Sequence, residues 1–193
     1  MRAPGRLGLL GLAGLWALSA SAPAASGEAF VGPKAGRGLL EVRVTDHREA
    51  IGDFRLLVIR IPEIRLHPAG RPRREGWLSL RTTDPEVDLV QVAGGEAKTV
   101  YRGGVPAGRF NGLGLSVVVA KAELKAGGGA QIRARKNEAV AIRAAVRPGE
   151  RTLITVDLVV VDFGDHPGRG YEVHVRKVET RAARERRGGG IAR

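Results

Sequence analysis

Beyond the first 26 residues, the side chains able to carry nucleophilic or acid–base chemistry are few. They are two serines, Ser79 and Ser116, and four histidines, His47, His67, His166 and His174. Both serines sit in stretches that read as strand. The segment Gly114-Leu115-Ser116-Val117-Val118 lacks the second glycine that a strained nucleophile elbow needs. No histidine neighbours either serine in sequence, and no two histidines are spaced as a metal-binding pair on one strand or helix. Asp162-Phe163-Gly164 has the letters of a kinase tripeptide, but neither a glycine-rich ATP loop nor a catalytic loop accompanies it. The expectation is a protein that is not an enzyme.

Carboxylates form the one cluster with a chemical reading. Asp46, Glu49 and Asp53 share a loop at a strand end, where oxygen ligands for a hard cation such as calcium gather. Asp162 and Asp165 share a second loop. The commoner role of short aspartates in turns is to accept hydrogen bonds from their own backbone. No other cofactor is expected.

Cationic side chains form two further groups, Arg71-Pro72-Arg73-Arg74 in a loop and Arg184-Glu185-Arg186-Arg187 in the tail. Such groups suit an acidic envelope polymer, and they are also what an ordinary solvated loop and tail look like. The net charge of +12 is shared with the two ends of the chain, because Arg2 and Arg6 open it and arginines crowd residues 181–193. Nucleic-acid recognition would need stacking aromatics among the basic residues or a reading helix; aromatics are only 4% of the chain and are scattered.

These residues need a scaffold. Hydrophobic residues make up 43% of the 193, enough for a core built from Val, Leu, Ile and Ala. Cysteine is absent, which excludes disulfides, thiolate chemistry and a lipid-modified cysteine anchor. Arg2 and Arg6, the apolar run Leu7 to Leu18, and the small residues around Ala22-Pro23-Ala24 have the layout of a secretory signal peptide. As a helix that run reaches ~18 Å, short of the ~30 Å hydrocarbon core, so removal is expected rather than anchoring. The expected organisation is a signal peptide over 1–26, a flexible lead-in over 27–38, one domain over 39–179 and a disordered basic tail over 180–193. The product is periplasmic or secreted, with no transmembrane segment after cleavage.

Within the domain, apolar residues alternate. Leu40, Val42 and Val44 share one face of a first strand, and Ile154, Val156 and Leu158 share one face of the most strand-like run, Thr152 to Val161. This parity points Asp157 outward or toward an arginine of a neighbouring strand. Phe54 to Leu66 reads as one long strand whose alternation changes phase beside Pro62, as a β-bulge would cause. His67 to Gly76 reads as an exposed hairpin loop, Val87 to Val92 as a strand, and Gly127-Gly128-Gly129 as a tight hairpin. Gly112 and Gly114 face away from Leu113 and Leu115, toward close packing or bare solvent. Short strands with turn signals every eight to twelve residues predict an all-β, antiparallel sandwich or barrel.

The order of these segments resembles the family DUF4382, an exported bacterial and archaeal domain of unknown function. The matching pieces begin with Leu40-Glu41-Val42-Arg43-Val44-Thr45-Asp46, Ile64-Arg65-Leu66-His67, and Trp77 with Leu78 and Leu80. They continue with Val87-Asp88-Leu89, Pro106-Ala107-Gly108-Arg109-Phe110, Thr155-Val156-Asp157-Leu158 and Tyr171-Glu172-Val173-His174-Val175. The resemblance spans about Leu39 to Val178. Departures are Arg135-Lys136-Asn137-Glu138, where the family has a Pro-Ser-Gly stretch, and Val175, where it often has proline. The resemblance implies a β-sandwich of prealbumin-like or immunoglobulin-like type and carries no catalytic or binding residues. The expected function is that of an exported, non-catalytic structural or binding module, reached by an acidic polymer or by another protein pairing with a strand edge. A small-ligand carrier or a calcium-binding surface module are the alternatives.

Overall fold

The computed structural model describes residues 36–135, 138–164 and 170–183. The expected leader, most of the lead-in, Asp165, His166 and the tail arginines Arg184, Arg186 and Arg187 lie outside them.

The described residues form twelve strands and one 3-10 turn, in three sheets. The five-stranded sheet is centred on β1 (Arg37–His47) and β11 (Arg151–Asp162). It is extended by β6 (Lys98–Pro106) on one side and by β12 (Tyr171–Ala183) and β9 (Ile132–Ala134) on the other. A four-stranded sheet runs in the order β10 (Glu138–Val146), β7 (Gly108–Leu115), β3 (Glu63–Pro68), β4 (Leu78–Arg81). A three-stranded sheet places β2 (Phe54–Arg60) between β5 (Glu86–Asp88) and β8 (Val118–Leu124), with the 3-10 turn Ala50–Asp53 leading into β2.

Alternation accounts for the core. Leu40, Val42 and Val44 of β1 and Ile154, Val156 and Leu158 of β11 are all fully buried. They join Leu57 and Ile59 of β2, Ile64 and Leu66 of β3, and Leu113 and Leu115 of β7 in one cluster drawn from all three sheets. The fold is all-β and sandwich-like, as expected. Most pairings are antiparallel, but β1 pairs with β11 in parallel, Val42 opposite Ile154, and β12 pairs with β9 in parallel.

The structure differs from the sequence expectations at several places, among them Arg37 and Gly38, which belong to β1 and not to a lead-in, and His67, which is buried in β3 and not in an exposed loop. Phe54 to Leu66 is not one bulged strand: β2 and β3 belong to different sheets, and the chain changes sheet at Ile61-Pro62. The phase change marks that crossing, and Ile59, Ile61, Ile64 and Leu66 all stay buried because each sheet turns its own face to the same core. Val87 to Val92 is strand only over Glu86–Asp88; Leu89 and Val92 are buried from a turn. The Gly127–Gly129 turn does not close a hairpin, because β8 pairs with β2 while β9 pairs with β12. Finally, Thr180–Ala183 is strand and not tail. Thr180 lies opposite Ile154 and Ala182 opposite Thr152, because β11 offers a partner edge along its whole length.

If inward parity on β11 carries the fold, truncating neighbouring residues will give unequal costs. Ile154→Ala is expected to lose ~2–5 kcal/mol of unfolding free energy, since it empties a fully buried site. Leu153→Ala, on the outer face, should lose less than about 1 kcal/mol. Urea denaturation measures both, and equal losses would contradict the assigned faces.

Candidate functional site

The carboxylate loop comes first. On β1 the inward series Leu40, Val42, Val44 continues to Asp46, so alternation itself drives a carboxyl into the interior, where Asp46 is only 2% exposed. Its backbone is clamped by the segment after β5. The Asp46 N–H donates to the Val92 carbonyl at 3.2 Å, and the Gly94 N–H donates to the Asp46 carbonyl at 3.2 Å. Neither side-chain oxygen has a hydrogen-bond partner among the described residues. Burial raises its pKa to about 8, and the nearby charges of Asp157 and Glu49 add to the rise. At neutral pH Asp46 therefore holds its proton.

The other two members of the expected trio have separate tasks. Glu49 is exposed ahead of the 3-10 turn. Asp53 accepts a hydrogen bond from the Tyr171 hydroxyl at 3.1 Å, which ties the turn to β12, and Tyr171 meets Phe54 edge-on at 4.7 Å. Among the described residues no group of three or more His, Asp or Glu is placed to hold a metal ion, so Asp46, Glu49 and Asp53 do not converge on one. Asp162 accepts from the Gly164 N–H at 2.7 Å, the turn role open to any short aspartate.

Beside Asp46 lies a groove of about 600 Å³. β1 contributes Thr45 and His47, β11 contributes Thr155 and Asp157, and Gly94-Gly95 borders it, with Arg48 lying against Gly94. Asp157 faces outward, as its parity predicts, and accepts from Arg176 at 2.9 Å. The register shifts here: Leu158 opposes Val175 while Asp157 opposes Lys177. Arg176 is thus an extra residue in a β-bulge, which brings Arg176 and Lys177 together at the groove opposite one carboxylate.

Further along the same outer face is a residue that sequence reasoning missed. Glu41 is 2% exposed. It accepts from Arg43 at 2.6 Å and Thr99 at 3.2 Å, with Arg151 at 3.5 Å and Arg102 at 3.7 Å. Burial pushes its pKa up, but the hydrogen bonds and surrounding guanidinium charges outweigh that and hold it below the ordinary glutamate value. In sequence Glu41 is an outward strand residue like any other. Only the pairing of β1 with both β6 and β11 brings the three arginines of different strands around it.

The arginine loop is the second candidate. β3 and β4 form the expected hairpin, Leu66 opposite Leu78, and the exposed loop between them carries Arg71, Arg73 and Arg74. Two ring N–H groups from the strand ends hold it. His67 Nε2 donates to the Pro72 carbonyl at 3.0 Å, and Trp77 Nε1 donates to the Arg73 carbonyl at 2.8 Å. Pro72 also accepts from the Glu75 N–H at 3.0 Å, closing a turn.

His67 is 1% exposed; its Nδ1 lies 2.7 Å from the Asn111 side-chain amide, and its ring meets Trp77 at 5.0 Å. Both rings fit because β7 presents Gly112 beneath them: a Cβ there would lie 2.9 Å from that of His67 and 3.1 Å from the Trp77 ring. Gly114 likewise lies under Arg65, whose guanidinium stacks 5.5 Å from the Trp77 centroid. The glycine face of β7 is therefore the seat of a His–Trp buttress for the loop, the close-packing alternative that their parity left open.

Fold and site together define an all-β, sandwich-like domain whose outer faces carry ordered charged clusters. The chain belongs to the family described as "Domain of unknown function (DUF4382)", whose model matches residues 37–171. No curated protein and no solved structure shows a significant match to it. No helix among the described residues is long and apolar enough to cross a membrane.

The buried carboxyl gives a test. Because the folded pKa of Asp46 is raised from the ordinary 3.8 to about 8, the folded state keeps a proton that the unfolded state has lost. The stability contributed by this group is complete below about pH 4 and is lost as pH rises through about 8. Asp46→Asn should therefore melt at a higher temperature than the parent at pH 8 to 9, with the difference fading toward pH 4. Parallel melting curves across that range would contradict a protonated Asp46.

Proposed function

We propose that the protein is an exported, non-catalytic binding module that acts in the periplasm or outside the cell. The leader pattern of residues 1–26 supports export, and the absence of cysteine fits a chain released rather than held by a lipid. The observation that carries the binding reading is the pinned arginine loop. Two buried or half-buried rings spend their N–H donors on the backbone of an exposed turn. A surface loop fixed in this way has little ordering entropy left to lose when a partner arrives.

Several of the residues with potential chemistry have structural occupations consistent with a non-catalytic role. Ser79 donates to Glu63 at 3.2 Å, and His174 lies 3.5 Å from Glu172. His67 is occupied by the loop. A second reading, a carrier for a small polar ligand, is favoured by the groove beside Asp46, whose volume lies within the ~300–1,000 Å³ typical of ligand sites.

Expression of the full chain with a C-terminal tag, followed by cell fractionation and N-terminal sequencing, tests the export half. The expected product lies outside the cytoplasmic membrane and begins at Ala25 or within two residues of it. A full-length product retained in the cytoplasm would overturn the proposal.

A further inference from the structure

Resting on the binding reading above, we infer that the outer face of the β3–β4–β7–β10 sheet is a docking surface for an acidic polysaccharide, with the buttressed arginine loop as its centre. Arg73 touches a small depression that it shares with Trp77, Asn111 and the β10 residues Ala139 and Val140. Asn111 also lines a larger trough of about 240 Å³, bordered by Ala69 of the loop and by Arg109 and Arg143. The loop and the trough are thus neighbours through Asn111, and an extended chain lying across both meets one cation after another.

Irregularities in the sheet create this arrangement. Relative to β3 and β10, Asn111 is skipped in the register: His67 and Ala141 oppose Gly112, whereas Pro68 and Ala144 oppose Phe110. The bulge reverses inside and outside along β7, so Leu113 and Phe110 are both buried while Asn111 reaches His67. On β10 the same irregularity takes Ile142 and Arg143 out of the ladder, with Arg143 exposed.

Charge chooses the occupant. Among the described residues, most arginines outside this sheet stand in ion pairs, such as Arg55 with Glu123, Arg60 with Glu86 and Arg176 with Asp157, with Arg37 and Arg48 as exceptions. Arg73, Arg74, Arg109 and Arg143 are exposed, and the described residues place no carboxylate within ion-pair distance of them. Guanidinium forks match carboxylate, sulfate and phosphate groups in pairs of hydrogen bonds. A polymer in solution fits better than a lipid surface, because the loop residues Ala69, Gly70 and Pro72 offer no large apolar side chain for insertion. Among the described residues, the exposed large hydrophobic side chain is Val118, which lies on β8 in a different sheet.

The test is titration of the purified protein with dextran sulfate at low salt, with uncharged dextran and phosphatidylglycerol vesicles as the other arms. Dextran sulfate should bind, and uncharged dextran should not. Arg73→Glu with Arg74→Glu should weaken binding ~10-fold, since two exposed charge contacts are each turned to repulsion. Arg37→Glu with Arg48→Glu makes the same change in net charge away from this sheet and should weaken binding ~2-fold or less, through the long-range field alone. Trp77→Phe keeps the ring and the charge but removes the donor to Arg73; it should weaken binding ~3-fold, a loss that net charge cannot explain. Equal losses in the two charge-reversed pairs, an unaffected Trp77→Phe, or tighter binding to vesicles than to the polymer would each overturn the inference. Absence of dextran sulfate binding by a protein that is nonetheless exported would overturn it while leaving the export reading intact.

Discussion

The parallel pairing of β1 with β11 is the constraint on which the rest of the structure depends. Each strand alternates with period two, so one register, Val42 opposite Ile154, fixes both faces together. A slip of one residue would turn the inward aliphatic set of one strand to solvent, either Leu40, Val42 and Val44 or Ile154, Val156 and Leu158, and point Glu41 and Arg43 or Asp157 at the core in its place. β6 and β12 then add to the two free edges, and the two smaller sheets close over the apolar face. Parallel neighbours so far apart in sequence make this register a non-local decision, which local patterning alone does not set.

The same alternation sets the chemistry of the outer faces. At Glu41 it turns a carboxylate outward, where arginines from β1, β6 and β11 surround it. At Asp46 it turns a carboxylate inward with no partner, and the protein answers by keeping it protonated. Two acidic residues five positions apart thus respond oppositely to burial, because one is satisfied and the other is not. Where regular alternation breaks, at Arg176 and at Asn111, the extra residue becomes a surface feature: a paired cation beside the groove, and the anchor of His67.

Much of the fold was legible in the sequence, for a physical reason. Leu40, Val42, Val44, Ile154, Val156 and Leu158 bury at period two, a local signal that needs no knowledge of partners. The hairpin around Arg71 to Arg74 was equally local, since prolines, glycines and arginines together exclude strand. What could not be read was pairing. Pro62 changes sheet rather than bulging a strand, the glycines at 127 to 129 separate strands of different sheets, and Thr180–Ala183 is held by an edge thirty residues away in sequence. The sites followed the same rule. The loop arginines were visible as a composition, but the His67–Trp77 buttress required knowing that Gly112 lies beneath both rings. The carboxylate trio shared a loop without sharing a point in space, because Asp46 belongs to the strand and points inward.

Amide hydrogen exchange, read residue by residue, tests the central claim most directly. The amides of β1 and β11 between Leu40 and Val44 and between Thr152 and Val160 should exchange slowest, at rates set by global unfolding, while the short edge strands β4 and β5 exchange through local opening. Protection in β1 and β11 no greater than in those edges would show that their parallel register is not what holds the fold.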